Sequence, residues 1–369
     1  MWVLLITALA AMSALTVMQT PKEWHKRKVP HILLCIGHTV GITSVVLVLF
    51  AVYRMKDGPL REGIIWTETF YVTLAMYALV LTAVRYLAFE VARRLRHRKV
   101  LQVLGSQTAF FLAVVVVTVA YMIPAVHHAT HVRTVSYEIP VNKSCSTDTF
   151  SVAVVSDFHV GAGARHREMD QMAEAIAAAK PDAVLIAGDV CDSSSSVQDL
   201  EYMEKVLGEL DTPYGVYYAE GNHERECRFD PDPYLEGAGV TILKDEGIRL
   251  ANGINIVGRK DELKTSAAQI MEEDGLDLQD PTIVFQHRPK GLNQLDGVAD
   301  LVVCGHTHGY SFPFIGAMMP YLQDIVYGYR MYGRTNVVVS AGVAEWGFRT
   351  KWPSHSDITI VHMNFKEAS

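Results

Sequence analysis

The sequence predicts two parts of different kind: four N-terminal transmembrane helices, then an α/β domain in which a sandwich of sheets carries helices on its outside. Three observations predict this. Long apolar stretches fill the front of the chain, apolar strands alternate with helices after residue 150, and charge divides between the two parts. Residues 1–149 hold 15 Lys plus Arg against 7 Asp plus Glu, whereas residues 150–369 hold 18 against 33, giving +8 and −15. A basic, apolar front joined to an acidic back points to two physical environments.

The apolar stretches cover about 1–20, 29–53, 64–91 and 100–126. Each is near or above the roughly 20 residues needed to cross a hydrocarbon core, so region 1–127 reads as four transmembrane helices. The first differs from a secretory signal peptide: no positive residue precedes it, and no small-x-small cleavage pattern precedes Pro21. The loops orient the bundle. Pro21–Lys28 contains four Lys or Arg and Ala92–Lys99 contains five, while Arg54–Gly63 has three beside two acids. Basic loops stay cytoplasmic, which predicts an integral protein of the cell membrane with everything after Val126 outside the cytoplasm. Residues 128–149 then read as a connector, and 150–369 as the folded domain.

Within that domain, Phe150–Asp157, Ala183–Asp189, Thr282–His287, Asp300–His306, Asn336–Gly342 and Asp357–Met363 are short apolar runs, the mark of strands buried on both faces. Arg165–Lys180, Val197–Leu210 and Thr265–Asp274 read as helices, and Gly247–Arg259 as a hairpin turning at Asn252-Gly253. Ser193–Ser196 reads as a flexible loop. Strand-helix alternation of this kind predicts a sheet-based sandwich with helices outside.

Nearly every strand ends in residues of metal-binding type: Asp157-Phe-His159, Gly188-Asp189, Gly221-Asn222-His223-Glu224, His287, and Gly305-His306-Thr-His308. Strand ends of an α/β sheet meet in one crevice, so residues spread over 150 positions can converge there. Carboxylates, one amide and five imidazoles suit a pair of borderline divalent ions better than calcium's all-oxygen sites or the thiolate sites of structural zinc. In Asp157-x-His159 both side chains leave the same face of an extended segment and can reach one ion. Gly188, Gly221 and Gly305 are expected to let the backbone turn tightly against the ions.

These motifs, in this order, resemble the calcineurin-like metallophosphoesterases, whose signature is D-x-H, G-D, G-N-H-D/E, H and G-H-x-H. The resemblance covers about Phe150–Met363, and the ending Gly342–Met363 is similar to that of the membrane-anchored branch. It implies a four-layer α/β/β/α fold and a dinuclear-metal hydrolase of phosphate esters, manganese being the first expectation, with zinc, iron or magnesium as alternatives. It further implies that Asp157, His159 and His308 hold one ion, that Asn222, His287 and His306 hold the other, and that Asp189 bridges them. His223 would stay off the ions and bind the phosphate or protonate the leaving oxygen. Two such ions activate water themselves, which fits the absence of any Gly-x-Ser-x-Gly or reactive-cysteine signature. Departures from the commonest pattern are Arg288 after His287, expected as a phosphate clamp, and Gly309-Tyr310-Ser311 after the last motif.

Cys191 and Cys227 flank the same motifs, and two free thiols are expected over a disulfide between them. The segment Gly309–Tyr332 is rich in aromatics and methionines, among them Tyr310, Phe312, Phe314, Met318 and Tyr332. It either packs over the sheet or forms an apolar wall that receives acyl or polyprenyl chains. The leading expectation is a membrane-anchored phosphoesterase acting on a phosphodiester, pyrophosphate or phosphomonoester of a membrane lipid or envelope precursor, a lipid-linked substrate. Two alternatives stay open: a hydrolase of soluble phosphoesters with the helices as a tether, and a non-catalytic membrane sensor or transporter with a ligand-binding domain. The acidic domain disfavours nucleic acid as a partner, and nothing in the sequence fixes an oligomeric state.

Overall fold

The computed structural model describes residue 55 and residues 59–161, 163, 165–310, 324–347 and 349–365. The predicted spans at 1–20 and 29–53 lie outside them. The chain divides into two compact units, Met1–Pro124 and Ala125–Ser369.

In the first unit, α1 (Pro59–Arg94) contains the predicted third span; Pro59 opens it, Glu62 sits in its first turn and Arg93 and Arg94 in its last, matching the helix dipole at both ends. The predicted fourth span at 100–126 is not one helix. The chain forms α2 (Arg98–Gly105), breaks at Ser106 and resumes as α3 (Gln107–Thr130). Ser106 is extended, and its Oγ accepts from the Ala109 amide at 3.2 Å, so this serine caps a new helix instead of continuing the old one. Leu60–Arg94 and Leu112–Thr130 are long and apolar enough to cross a membrane by length and composition.

In the second unit, which takes in the last turns of α3, the first strand is β1 (Arg133–Val141), which pairs in parallel register with β12 (Asp357–Phe365) over nine residues. Residues 128–149 are therefore not merely a connector: they supply an edge strand. Sheet A has the order β1-β12-β2-β3-β4-β5, with β2 Thr149–Val155, β3 Ala183–Ala187, β4 Val216–Ala219 and β5 Thr241–Ile242. Sheet B has the order β10-β11-β9-β8-β7-β6, with β6 Glu246–Arg249, β7 Asn255–Arg259, β8 Thr282–Gln286, β9 Leu301–Cys304, β10 Gly328–Tyr332 and β11 Thr335–Val339. Both sheets are mixed: β12 runs antiparallel to β2 in one, and β10 and β6 run antiparallel to their neighbours in the other.

Three apolar clusters define the layers. Val152, Val154 and Leu185 of sheet A meet Ile256, Phe285 and Val303 of sheet B between the sheets. On the outer face of sheet A, Val184 and Ile186 pack against Met169, Met172 and Ile176 of α4 (His166–Ala179) and Leu200 and Met203 of α5 (Val197–Gly208). On the outer face of sheet B, Val257 and Val284 pack against Ile270 and Met271 of α7 (Ala267–Glu273), which follows the short α6 (Asp232–Gly237). Alternate residues of one strand thus serve different clusters, Val154 facing inward and Val155 outward. The result is helix, sheet, sheet, helix.

Candidate metal centre

Six parallel strands place the site. Asp157, Asp189 and Asn222 follow β2, β3 and β4 of sheet A; His287 and the pair His306 and His308 follow β8 and β9 of sheet B; the loop after β11 closes over them. The loops after β2 and β3 stay paired beyond the strands, with Asp157 N donating to Gly188 O and His159 N to Asp189 O, each at 3.0 Å. His287 ties the sheets together: its Nδ1 lies 2.8 Å from Ala187 O. A carbonyl can only accept, so Nδ1 carries a hydrogen and Nε2 is the nitrogen turned to the site.

Two groups of side chains bring their ligand atoms within 4.8 Å of one another: Asp157, His159 and His308, and Asp189, His287 and His306. Asp189 lies between them, its Oδ2 being 2.9 Å from His287 Nε2 and 3.7 Å from His159 Nε2. Its other oxygen is taken by the His223 amide at 2.8 Å. His306 Nδ1 is 3.1 Å from His287 Nε2, and His308 Nε2 is 3.4 Å from Asp157 Oδ1. Asn222 Oδ1 is buried and accepts no hydrogen bond. A buried amide oxygen left without a partner is costly unless a cation takes it, and together with the two His/Asp groups it fits a pair of divalent ions. Six of the seven expected ligands therefore fall in these two groups, and Asn222 lies on the loop whose His223 amide binds Asp189. The ring of His223 lies edge-on to the His159 ring at 4.9 Å and tilted against Trp346 at 5.1 Å, with Nδ1 3.2 Å from Glu226 Oε2.

The electrostatics follow from burial. It pushes the imidazoles of His306 and His308 down to about 3, leaving both neutral at pH 7. His287 behaves otherwise: burial lowers it, but the Asp189 carboxylate beside it outweighs burial and raises it to about 10. In return, Asp189 is held well below the usual carboxylate range although burial opposes this.

The backbone corrects one expectation. Gly188 turns at φ +79° as expected, but five ligands also occupy the left-handed region, so Asp157-x-His159 is not extended: Asp157 at φ +55°, His159 +43°, Asp189 +55°, His306 +73° and His308 +51°. Side-chain-bearing residues enter this region at a cost of about 1 kcal/mol or more, though Asp and His tolerate it better than most. Gly305 and Gly221 are needed for space instead. A Cβ on Gly305 would lie 2.5 Å from Ser156 Oγ, and one on Gly221 would collide with the Asp189 carboxylate.

Several supporting residues escaped the sequence reading. Asp192, fully buried, stands 3.3 Å from His159 Nδ1 and directs the opposite nitrogen to the site. Its only signal was a second acid three residues after Asp189. Glu224 accepts from the amides of Val190 at 2.8 Å and Gly221 at 3.0 Å, joining two ligand loops. Lys351, fully buried, donates to the carbonyls of Ala341, Gly342 and Ala344, and Ala344 O also accepts from His308 Nδ1 at 3.3 Å. The Ser193–Ser196 segment is not a flexible loop: Ser195 Oγ donates to Val160 O at 2.6 Å, and Ser196 caps α5 in a capping box with Asp199. Cys191 and Cys227 are free thiols whose side chains hydrogen-bond each other, which raises Cys191 and lowers Cys227 to about 7. Of the aromatic segment, 311–323 lies outside the described residues, including Phe312, Phe314 and Met318.

Residues 150–310 match the family described as calcineurin-like phosphoesterase. An uncharacterized metallophosphoesterase of Helicobacter pylori is 28% identical over 236 residues, covering 61% of this chain and 63% of that protein. A transmembrane protein with metallophosphoesterase domain from Bos taurus is 28% identical over 277 residues, covering 67% and 61%. The chain thus spans about three fifths of the length of these relatives. A dimetal phosphatase from Danio rerio aligns with a TM-score of 0.38 at 12% identity, over 59% of this chain and 93% of that one. Over residues 150–310 the chain is thus similar to the calcineurin-like metallophosphoesterases.

Proposed function

We propose that the domain hydrolyses a phosphate ester at a pair of divalent ions, manganese foremost, held by Asp157, His159 and His308 on one side and by Asn222, His287 and His306 on the other, with Asp189 between. The observation that carries this reading is the pair of three-ligand groups brought into contact by Asp189 Oδ2. When bound, such ions supply an activated water and withdraw charge from the phosphoryl group. The chain's residues supply the rest. Asp192, Ala187 O and Ala344 O fix which nitrogen His159, His287 and His308 present. Glu226 holds His223 Nδ1, so Nε2 can give a proton to the leaving oxygen. Arg288, next in sequence to His287 and part-exposed, can clamp a phosphate oxygen.

The apolar helices favour a membrane setting: a phosphodiester, pyrophosphate or phosphomonoester of a membrane lipid or envelope precursor, cut on the extracytoplasmic side. Hydrolysis of soluble phosphoesters with the helices as a tether is the second reading, favoured by the same ligand set without the membrane argument. Purified protein reloaded with Mn²⁺, Zn²⁺ or Mg²⁺ and assayed on lipid and soluble mono- and diesters decides between them. Asp189→Asn should abolish turnover while leaving the fold intact. Absence of metal-dependent hydrolysis by the wild type on the whole panel would leave the non-catalytic, ligand-binding reading in its place.

A further inference from the structure

At the rim of the site two guanidinium groups share one buried carboxylate. Arg288 grips Asp261 with both arms, Nε to Oδ1 at 2.6 Å and Nη2 to Oδ2 at 3.1 Å, and Arg225 reaches the same Oδ2 through Nη2 at 2.9 Å. The Asp261 side chain is 3% exposed, whereas those of Arg225 and Arg288 are 50% and 31% exposed. The acid is thus a hidden brace and the cations face outward.

Both arginines leave ligand-bearing loops of the same proposed ion. Arg225 is three residues beyond Asn222, and Arg288 directly follows His287. Arg225 Nη1 also meets Glu262 at 3.4 Å, but Glu262 is paired with Lys264, so three cations share two carboxylates. Among the described residues Arg288 Nη1 donates to nothing. Planar forks held at a fixed separation with donors to spare match the oxygens of a phosphoryl group.

We propose that Arg225 and Arg288, braced by Asp261, form a second anion subsite beside the metal centre, and that the preferred substrate is a diphosphate ester whose non-scissile phosphoryl group sits there. This rests on the phosphoesterase reading and narrows it. The charge balance is the reason. Two divalent ions against Asp157 and Asp189 already offset one phosphoryl group, so a further pair of outward guanidinium groups is matched by a further anion.

The test is calorimetric and needs no turnover. Manganese-loaded full chain is titrated with the symmetric dimethyl ester of methylenediphosphonate, which carries two anionic phosphorus centres, and with dimethyl phosphate, which carries one. The wild type should prefer the former by at least about tenfold, a preference that weakens as ionic strength rises. Arg225→Gln and Arg288→Gln should each remove most of that preference, and Arg225→Lys should keep part of it. No preference in the wild type, or equal weakening of both probes in the variants, overturns the subsite and leaves the arginines as structural partners of Asp261. A wild type with two manganese ions per chain that binds neither probe removes the phosphoesterase reading itself, and this inference with it.

Discussion

At the scale of single residues the site is a set of imidazoles whose free nitrogens are chosen by what holds the other nitrogen. Asp192→Asn should therefore weaken the ion on Asp157, His159 and His308 by about 10- to 100-fold, measured by chelator competition, while the other ion is nearly unaffected. His287 gives a pH prediction. Its pKa is raised to about 10 in the ion-free protein, so below that pH an incoming ion must displace a proton. Affinity at that position should rise about tenfold per pH unit between pH 7 and 9, with one proton released per ion, read by calorimetry in buffers of different ionisation enthalpy. A flat profile would mean His287 is already neutral. The ligands were legible in the sequence because apolar strands announce where they end, and each motif lies at such an end. Asp192, Lys351 and the Arg225–Asp261–Arg288 cluster were not, because each acts through a partner remote in sequence or across a loop, and periodicity carries no record of that.

At the scale of elements, strands and helices of the domain fell close to their expected bounds, since buried parallel strands are written as uninterrupted apolar runs. β5, β10 and α6 had no such signal, and two further departures have a clear cause. Ser106 splits the predicted fourth span because one hydroxyl caps a new helix, a local competition that an apolar average hides. β1 was missed because Arg133–Val141 is an edge strand, exposed along one face and mixed in composition. Its loss should matter: a soluble fragment beginning at residue 150 would leave the edge of β12 unpaired, and it should aggregate on size exclusion and melt lower than one beginning at residue 125. Equal behaviour would make β1 dispensable.

At the scale of the whole molecule, the basic front and acidic back carry the topology proposal. Cys227, lowered to about 7 and part-exposed, should react with a membrane-impermeant maleimide in intact cells if the domain is extracytoplasmic. Labelling only after lysis would place it on the cytoplasmic side. The left-handed backbone at five ligands bears on the molecule as a whole. That conformational cost is met by sheet pairing, shared amides and Lys351, all contacts of the chain with itself. On this account the ions are expected to be tenants of a finished building and not its mortar. Chelation should leave the circular dichroism unchanged and lower the melting temperature only by the mass-action share of binding, about 4 kcal/mol at a thousandfold excess over Kd. Evolution could accordingly exchange one metal for another, or silence the chemistry altogether, without having to reinvent the fold.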